Sequence, residues 1–244
     1  MSRFKRLRQH LPVAEALRLY SKIKYGKLEQ LRISKLHHPF NMRDNPFDYA
    51  TFEEVLLRET YDISLPFTPE CVIDGGGNIG LTAAWFATKY PSAQIVSIEP
   101  DQENFELLVR NTQAYGNVTP LHAGIWNRSA HLVVRNTGAG NNGFVVDEAA
   151  AGTPGAIESL GIPDIMQRMG WDRVDILKLD VEGSEKMIFA DGTDQWLPRT
   201  RVLIVELHDR MQKGSSRTVF AALTKYNFSM DIAGENLVFF NEDL

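Results

Sequence analysis

The chain of 244 residues contains one cysteine, Cys71. A single thiol excludes an intrachain disulfide and any metal cluster built on cysteine. It also fits a reducing compartment. Long apolar runs are missing: no stretch of about 18 apolar residues is available to span a membrane. The basic start over residues 1–10 is not followed by an apolar core, because Pro12, Glu15 and Arg18 interrupt residues 11–20. It therefore does not read as a secretory leader, and the chain is expected in the cytoplasm. Low-complexity segments and internal repeats are absent too. The sequence lacks an Asn-Pro-Pro-Tyr-like motif and any interleaving of aromatic with basic residues, so no nucleic-acid partner is expected.

Apolar residues make up 43%, enough for a sizeable core in one α/β domain with an extension. Charge is unevenly spread. Residues 1–43 carry 11 Lys/Arg against 2 Asp/Glu, a net of +9, and the remainder carries 15 against 29, a net of −14, which together make the chain's −5. Such a split fits a basic helix laid on an acidic body, a dimer contact, or a peripheral contact with an anionic membrane. The chain divides on this basis into a basic helical N-terminal extension, residues 1–48, and an α/β domain, residues 49–244.

Val13, Ala16, Leu17, Tyr20 and Ile23 recur at helical spacing, and Gly26 ends that helix. A second short helix is expected over 27–36, and Pro39, Asn45 and Pro46 mark a loop. Thr51-Phe52-Glu53-Glu54 has the form of a capping box and predicts a helix starting at Thr51. From Cys71 onward, strands are expected over 71–74, 94–99, 118–125, 174–180 and 202–208, alternating with helices over 81–90, 102–115 and 217–225. Residues 132–135 read as an antiparallel excursion. Residues 228–232 and 237–240 read as a closing hairpin around Gly234-Glu235-Asn236, adding an antiparallel strand at one edge. The alternation predicts a mainly parallel sheet with right-handed crossovers.

Val72-Ile73-Asp74-Gly75-Gly76-Gly77-Asn78-Ile79-Gly80 sits where the first strand must turn into the first helix of this series. Glycines permit the sharp turn and a close approach of ligand to backbone. Gly75, Gly77 and Gly80 also satisfy G-x-G-x-x-G, the dinucleotide fingerprint. Glu99, in Ser97-Ile98-Glu99-Pro100, ends the second strand, 25 residues after Asp74. A carboxylate there can accept both hydroxyl protons of a ribose. These two features suit an NAD-dependent oxidoreductase and an S-adenosylmethionine enzyme alike.

Three segments separate the two. Asp74 to Gly80 reads D-x-G-x-N-x-G. Glu99-Pro100, Asn104-Phe105, Leu108 and Asn111 read E-P-x-x-x-N-F-x-x-L-x-x-N. Lys178, Asp180, Glu182-Gly183 and Glu185 read K-x-D-x-E-G-x-E. In this order and spacing they resemble the FkbM-type methyltransferase family, over about residues 48–210. Thr51-Phe52-Glu53-Glu54 through Tyr61 is similar to the segment before that family's first strand. The run Gly75-Gly76-Gly77 departs from relatives that carry bulkier residues beside the central glycine. The resemblance implies a Rossmann-like class I methyltransferase fold, with a mainly parallel seven-stranded sheet, an antiparallel C-terminal hairpin and helices on both faces. Residues 49–244 are then the methyltransferase domain. The resemblance further implies that Asp74, Gly75, Gly76, Gly77, Asn78 and Gly80 form the loop that holds the methionine portion of S-adenosyl-L-methionine. Glu99 would hold its ribose, Pro100 beside it would be part of the cofactor-binding set, and Gly124 would lie near its adenine. Asn104 either supports the loop or touches the cofactor. The acceptor implied is a hydroxyl on a small molecule, natural product or saccharide.

Charge argues for the same cofactor. A carboxylate at Asp74 would repel a pyrophosphate at the helix start, whereas the acids Asp74, Glu99, Asp180, Glu182 and Glu206 suit a ligand that carries an ammonium and a sulfonium. Methyl transfer to oxygen needs alignment at about 3 Å and is helped by a base, roughly 10²–10⁴-fold. The candidates cluster at the ends of the fourth and fifth strands: His208 or Glu182 as base, with Asp180 positioning the base or the cofactor. Strand alternation puts Glu206 and His208 on one face if the fifth strand reaches them. Glu185 caps or supports the next helix. Asp180, Glu182, Glu206, His208 and Asp209 can also hold a divalent metal, though no spacing there is diagnostic, and no metal ligand is assigned. His122 reads as a packed histidine, and His37 and His38 have no assigned role. The polar loop 136–143 either closes over a polar acceptor or is a plain connector.

Overall fold

The computed structural model describes residues 3–136, 144–150 and 152–244. In chain order its helices are α1 Arg3–His10, α2 Val13–Lys24, α3 Pro46–Phe52, α4 Leu81–Lys89, α5 Gln102–Thr112, α6 Ile162–Met169, α7 Glu185–Ile188 and α8 Ser215–Leu223. Its strands are β1 Cys71–Gly75, β2 Gln94–Glu99, β3 Val118–His122, β4 Gly124–Ile125, β5 Ala130–Asn136, β6 Phe144–Ala149, β7 Ala156–Leu160, β8 Val174–Leu179, β9 Thr200–Val205, β10 Phe228–Ala233 and β11 Asn236–Asn241.

Seven strands form one sheet in the order β10-β11-β9-β8-β1-β2-β3, and β4-β7-β5-β6 form a second, smaller one. All pairings among β9, β8, β1, β2 and β3 are parallel. Alternate side chains of each strand enter different cores, as a period of two requires. Val72, Ile176, Val202 and Ile204 pack with α2 and α4 on one face. Ile73, Leu177, Leu203 and Val205 pack with α6 and α8 on the other. The sheet therefore has helices on both faces. No helix among the described residues is long and apolar enough to cross a membrane.

Leu7, Leu19, Ile23 and Leu31 of the basic extension are buried in the same core as Val72 and Ile95, so the extension packs on the sheet. Two of its cations pair with acids that follow it: Arg6 with Glu53 at 2.8 Å and Lys35 with Glu59 at 2.5 Å. Residues 27–36 are not the expected helix. Gln30 has a φ of 50°, and Leu31 exchanges backbone hydrogen bonds with Phe40 at 2.8 and 2.9 Å. This irregular course lets Leu28, Leu31, Ile33 and Leu36 all be buried.

The helix expected to begin at Thr51 begins at Pro46. Asn45 caps it, accepting the Asp48 N–H at 2.8 Å, and proline suits a first helical position because its missing N–H has no partner there. Thr51 lies inside the helix, and a π-helical turn, Glu53–Arg58, follows. The third strand is interrupted at Ala123, and Gly124–Ile125 crosses to pair with β7. The closing hairpin lies at one edge of the sheet, as expected, with β10, paired antiparallel, as the edge strand. β11 lies between β9 and β10, because its run Leu237-Val238-Phe239-Phe240 is apolar while Ser229 and Asp231 of β10 are exposed. The antiparallel excursion at 132–135 lies within β5, which pairs with β6 and β7. The polar loop singled out in the sequence falls, over 137–143, outside the described residues.

Candidate functional site

From β1 the sheet grows one way through β2 and β3 and the other way through β8 and β9. A crevice opens at such a switch point, beyond the carboxyl ends of the strands. Here a pocket lies there. Gly76 and Asn78 from the turn after β1, Glu99 and Pro100 from the end of β2, Asn104 of α5 and Gly124 of β4 line it, together with Asp180, Glu182 and Ser184 after β8. The structure thus brings together eight of the residues selected from the sequence. Asp74, Gly75, Gly77, Gly80 and His208 are not in its wall.

The glycine turn is shaped by close approach. Gly76 has a φ of 75°, and a Cβ there would lie 1.8 Å from the Asp180 carbonyl oxygen. A Cβ on Gly77 would lie 2.3 Å from Ser97 Oγ. The N–H groups of Gly76 and Gly77 donate to Ile98 O at 3.0 and 2.9 Å. That of Asn78 donates to Glu99 Oε2 at 2.7 Å. Three N–H groups that a pyrophosphate would use are therefore already engaged.

Glu99 is buried, and each of its oxygens accepts one backbone N–H: Oε2 from Asn78 and Oε1 from Asp101, at 2.9 Å. Burial raises its pKa to about 7, against the lowering effect of those two bonds. Ionising Glu99 in the folded chain thus costs stability as pH rises from the ordinary carboxyl range toward 7. Ligand hydroxyls that donate to it would offset that cost.

Asp74 is fully buried and does not line the pocket. Its Oδ2 accepts from Ser97 Oγ at 2.7 Å. Lys178 Nζ stands 3.3 Å from Oδ1 and donates to Gly76 O at 2.7 Å. Strand register explains the row, since Asp74 pairs with Ser97 on one side and Lys178 on the other. Burial works against the Lys178 charge, but Asp74 and Asp180 outweigh it and hold its pKa above the ordinary value. The sequence argument that a bare Asp74 repels phosphate is therefore corrected: Lys178 stands against it and offsets its charge.

β9 ends at Val205, so Glu206 and His208 follow the strand instead of alternating along it. The loop nonetheless turns His208 inward. Its Nδ1 lies 2.8 Å from Oε1 of fully buried Glu185. Its Nε2 lies 3.5 Å from Glu206, 3.7 Å from Asp180 and 3.8 Å from Glu182. Burial opposes the imidazolium, yet the Glu185 hydrogen bond and these carboxylates raise the His208 pKa to about 9. Burial and the Asp180 charge raise Glu182 and Glu206 to about 7. Glu182 itself is held at a φ of 50°, a strained conformation for a residue other than glycine. Asp209 lies outside this group and binds the start of α8 through the Ser216 N–H at 3.0 Å. His122 is half-buried, 2.9 Å from Pro100 O and stacked on Phe105.

Sequence reasoning missed Arg43 and Phe47, which also line the pocket. Arg43 grips buried Asp48 through Nε and Nη2 and donates to Asn104 Oδ1 at 2.7 Å. It thereby anchors the extension at the pocket rim and orients Asn104. Only contacts distant in sequence reveal this. Arg43→Ala is expected to lower stability by about 1–3 kcal/mol, because Asp48 loses its charged partner. Ligand affinity should fall with it. Thermal unfolding with and without ligand checks both, and an unchanged ligand-induced shift would contradict the rim role.

The model of the methyltransferase FkbM domain matches residues 74–230. Methyltransferase sdnD of Sordaria araneosa is 26% identical over 75% of this chain and 80% of its own. Methyltransferase 1 of Beauveria bassiana is 24% identical over 74% of this chain and 80% of its own. The crystal structure of methyltransferase FkbM from Methylobacillus flagellatus KT aligns with 97% of this chain at 16% identity and a TM-score of 0.48. The chain spans 57% of that protein's length. The oxidoreductase alternative finds no support in these matches. A family match that starts at Asp74 and runs through Glu99, the Lys178-to-Glu185 motif and into β10 covers both sides of the pocket: this chain belongs to the FkbM methyltransferase family.

Proposed function

We propose that the enzyme transfers a methyl group from S-adenosyl-L-methionine to a hydroxyl of a small molecule, natural product or saccharide. The observation that carries this reading is buried Glu99 at the pocket wall, with both oxygens fixed by backbone N–H groups and an acceptor position left on each. The residues present fit the cofactor by their chemistry. Glu99 suits two ribose hydroxyls. Ile98, Gly124 and Ile125 suit a flat base. Asp180 suits the positive groups of the methionine end. When bound, S-adenosylmethionine supplies a methyl carbon whose bond to cationic sulfur breaks as the bond to the acceptor oxygen forms, the electron pair staying on sulfur.

The chain's own residues orient the partners and take up a proton. Gly76 brings the turn after β1 against the end of β8, so the Glu99 and Asp180 sides of the pocket are held at one distance. Asp180, paired with Lys178 at 3.9 Å, positions the cofactor. Glu182 lines the pocket and makes no side-chain hydrogen bond among the described residues, so it receives the hydroxyl proton. His208, held by Glu185 through Nδ1 and with Nε2 toward Asp180 and Glu182, is assigned to positioning those two acids.

The test uses S-adenosylhomocysteine binding. Its hydroxyls donate to ionised Glu99, whose pKa in the free protein is about 7. About one-eleventh of the free enzyme is ionised there at pH 6 and ten-elevenths at pH 8, so affinity should rise about tenfold between the two. Glu99→Gln should bind more weakly and with a shallower slope, any remainder coming from Glu182, which also titrates near 7 in the pocket wall. Calorimetric titration at both pH values decides. Binding of NAD in place of S-adenosylhomocysteine, or an undiminished slope in Glu99→Gln, would overturn the reading. A panel of hydroxylated acceptors then tests the acceptor class.

A further inference from the structure

We propose that Asp180, Glu182 and His208 form a binding site for a divalent transition-metal ion at the acceptor side of the pocket. One oxygen of each acid and one imidazole nitrogen lie within 4.8 Å of one another. The proposal rests on the methyl-transfer reading for its use, though its geometry stands apart from it.

Three features point to an ion. The first is spacing. His208 Nε2 faces oxygens of Glu206, Asp180 and Glu182 at 3.5, 3.7 and 3.8 Å. These distances exceed the 2.7–3.2 Å range of an N–H···O bond. Ligands about 2.1 Å from one ion stand roughly 3.0–3.5 Å apart, in octahedral or tetrahedral arrangement. The separations of Nε2 from Asp180 and Glu182 lie within a few tenths of an ångström of that spacing. The second feature is the far side of the imidazole. Nδ1 is held at 2.8 Å by Glu185, whose side chain is fully buried. A carboxylate behind a histidine is the arrangement that fixes the ring of a metal ligand. The third is Glu185 itself. Its Oε2 is buried with no hydrogen-bond partner among the described residues, so its charge is directed onto the histidine and whatever lies beyond it. This second carboxylate layer separates the group from a mere patch of solvated acids.

One imidazole and two carboxylates suit manganese or zinc better than calcium, which takes oxygen ligands alone. Three protein ligands leave coordination positions open. Asp180 and Glu182 line the pocket, so an open position faces the acceptor. A hydroxyl bound there would lose its proton more readily. The Glu182 oxygen not bound to the ion remains in place to receive that proton.

The test uses the full chain, stripped with chelator, and Mn²⁺ as probe, followed by the loss of its free-ion spin-resonance signal. One ion per chain is expected. Glu182→Gln and His208→Ala should weaken it at least tenfold, and Glu185→Gln by about 10–100-fold. Far-ultraviolet circular dichroism and thermal unfolding of the same samples report that each variant is folded. Should Glu185→Gln fail to fold, the other two variants decide. No saturable binding at millimolar Mn²⁺, or binding unchanged in the folded variants, overturns the proposal. In that event retained S-adenosylhomocysteine binding leaves the methyl-transfer reading standing. Mn²⁺ binding without S-adenosylhomocysteine binding supports the metal site and removes the methyl-transfer reading instead.

Discussion

Lys178→Met is expected to lower the unfolding free energy by about 3–5 kcal/mol. Methionine keeps most of the side-chain length, so the loss would report charge and hydrogen bonding rather than volume. Lys178 is 2% exposed and Asp74 is fully buried. Without the ammonium, Asp74 keeps one hydrogen bond, from Ser97, and no compensating charge. Its Oδ1 already lacks a hydrogen-bond partner among the described residues. The Gly76 carbonyl would lose its donor at the same time, and the Tyr61 ring would lose the cation 5.9 Å from its centre. For a chain of this size the midpoint of thermal unfolding should drop by roughly 10 °C. Adding Asp74→Asn should recover a large part of the loss, since the double variant buries no uncompensated charge at this point. Denaturant titration of the two single variants and the double variant measures the coupling. A Lys178→Met protein within about 1 kcal/mol of the parent would mean that the pair is not structural.

Gly76→Ala is expected to cost about 2–5 kcal/mol, from left-handed backbone strain and overpacking together. The obstacle is backbone: the new methyl would meet the Asp180 carbonyl oxygen at 1.8 Å, and neither segment can give way by rotating a side chain. The turn after β1 and the end of β8 must separate, carrying Asp180 and Glu182 with them. Displacement of such groups by about 1 Å costs on the order of 100-fold in rate, so activity should fall by at least that much. Gly116→Ala is the control. Nothing lies within 4 Å of its added Cβ, and stability should stay within about 0.5 kcal/mol. Equal effects at the two positions would remove the special role of Gly76.

The strand-and-helix alternation from Cys71 onward was legible because each segment carries its own period and its own punctuation. Gln94–Glu99 lies between Pro91 and Pro100, and its apolar residues mark it as a buried parallel strand. α6 was legible in the same terms but is easily passed over, with Pro163 in its first turn and Gly170 after its end. Residues 27–36 misled because leucines near helical spacing also serve an irregular segment pinned by Phe40. The candidate site divides in the same way. Gly76, Glu99, Asp180 and Glu182 stand in short motifs at strand ends, where a parallel sheet must open its crevice. Arg43 and Phe47 stand in no such motif.

The sequence by itself determined the order of strands and helices, the three motifs and hence the family, because these depend on neighbours along the chain. Only the tertiary structure decided which charges meet. It set Lys178 against Asp74, turned His208 onto Glu185 and brought Arg43 to Asn104. It also placed β11 inside the sheet. The physical reason is that ion pairing and strand order depend on distances between segments tens of residues apart, and burial sets the strength of each pair only once the chain has closed around it.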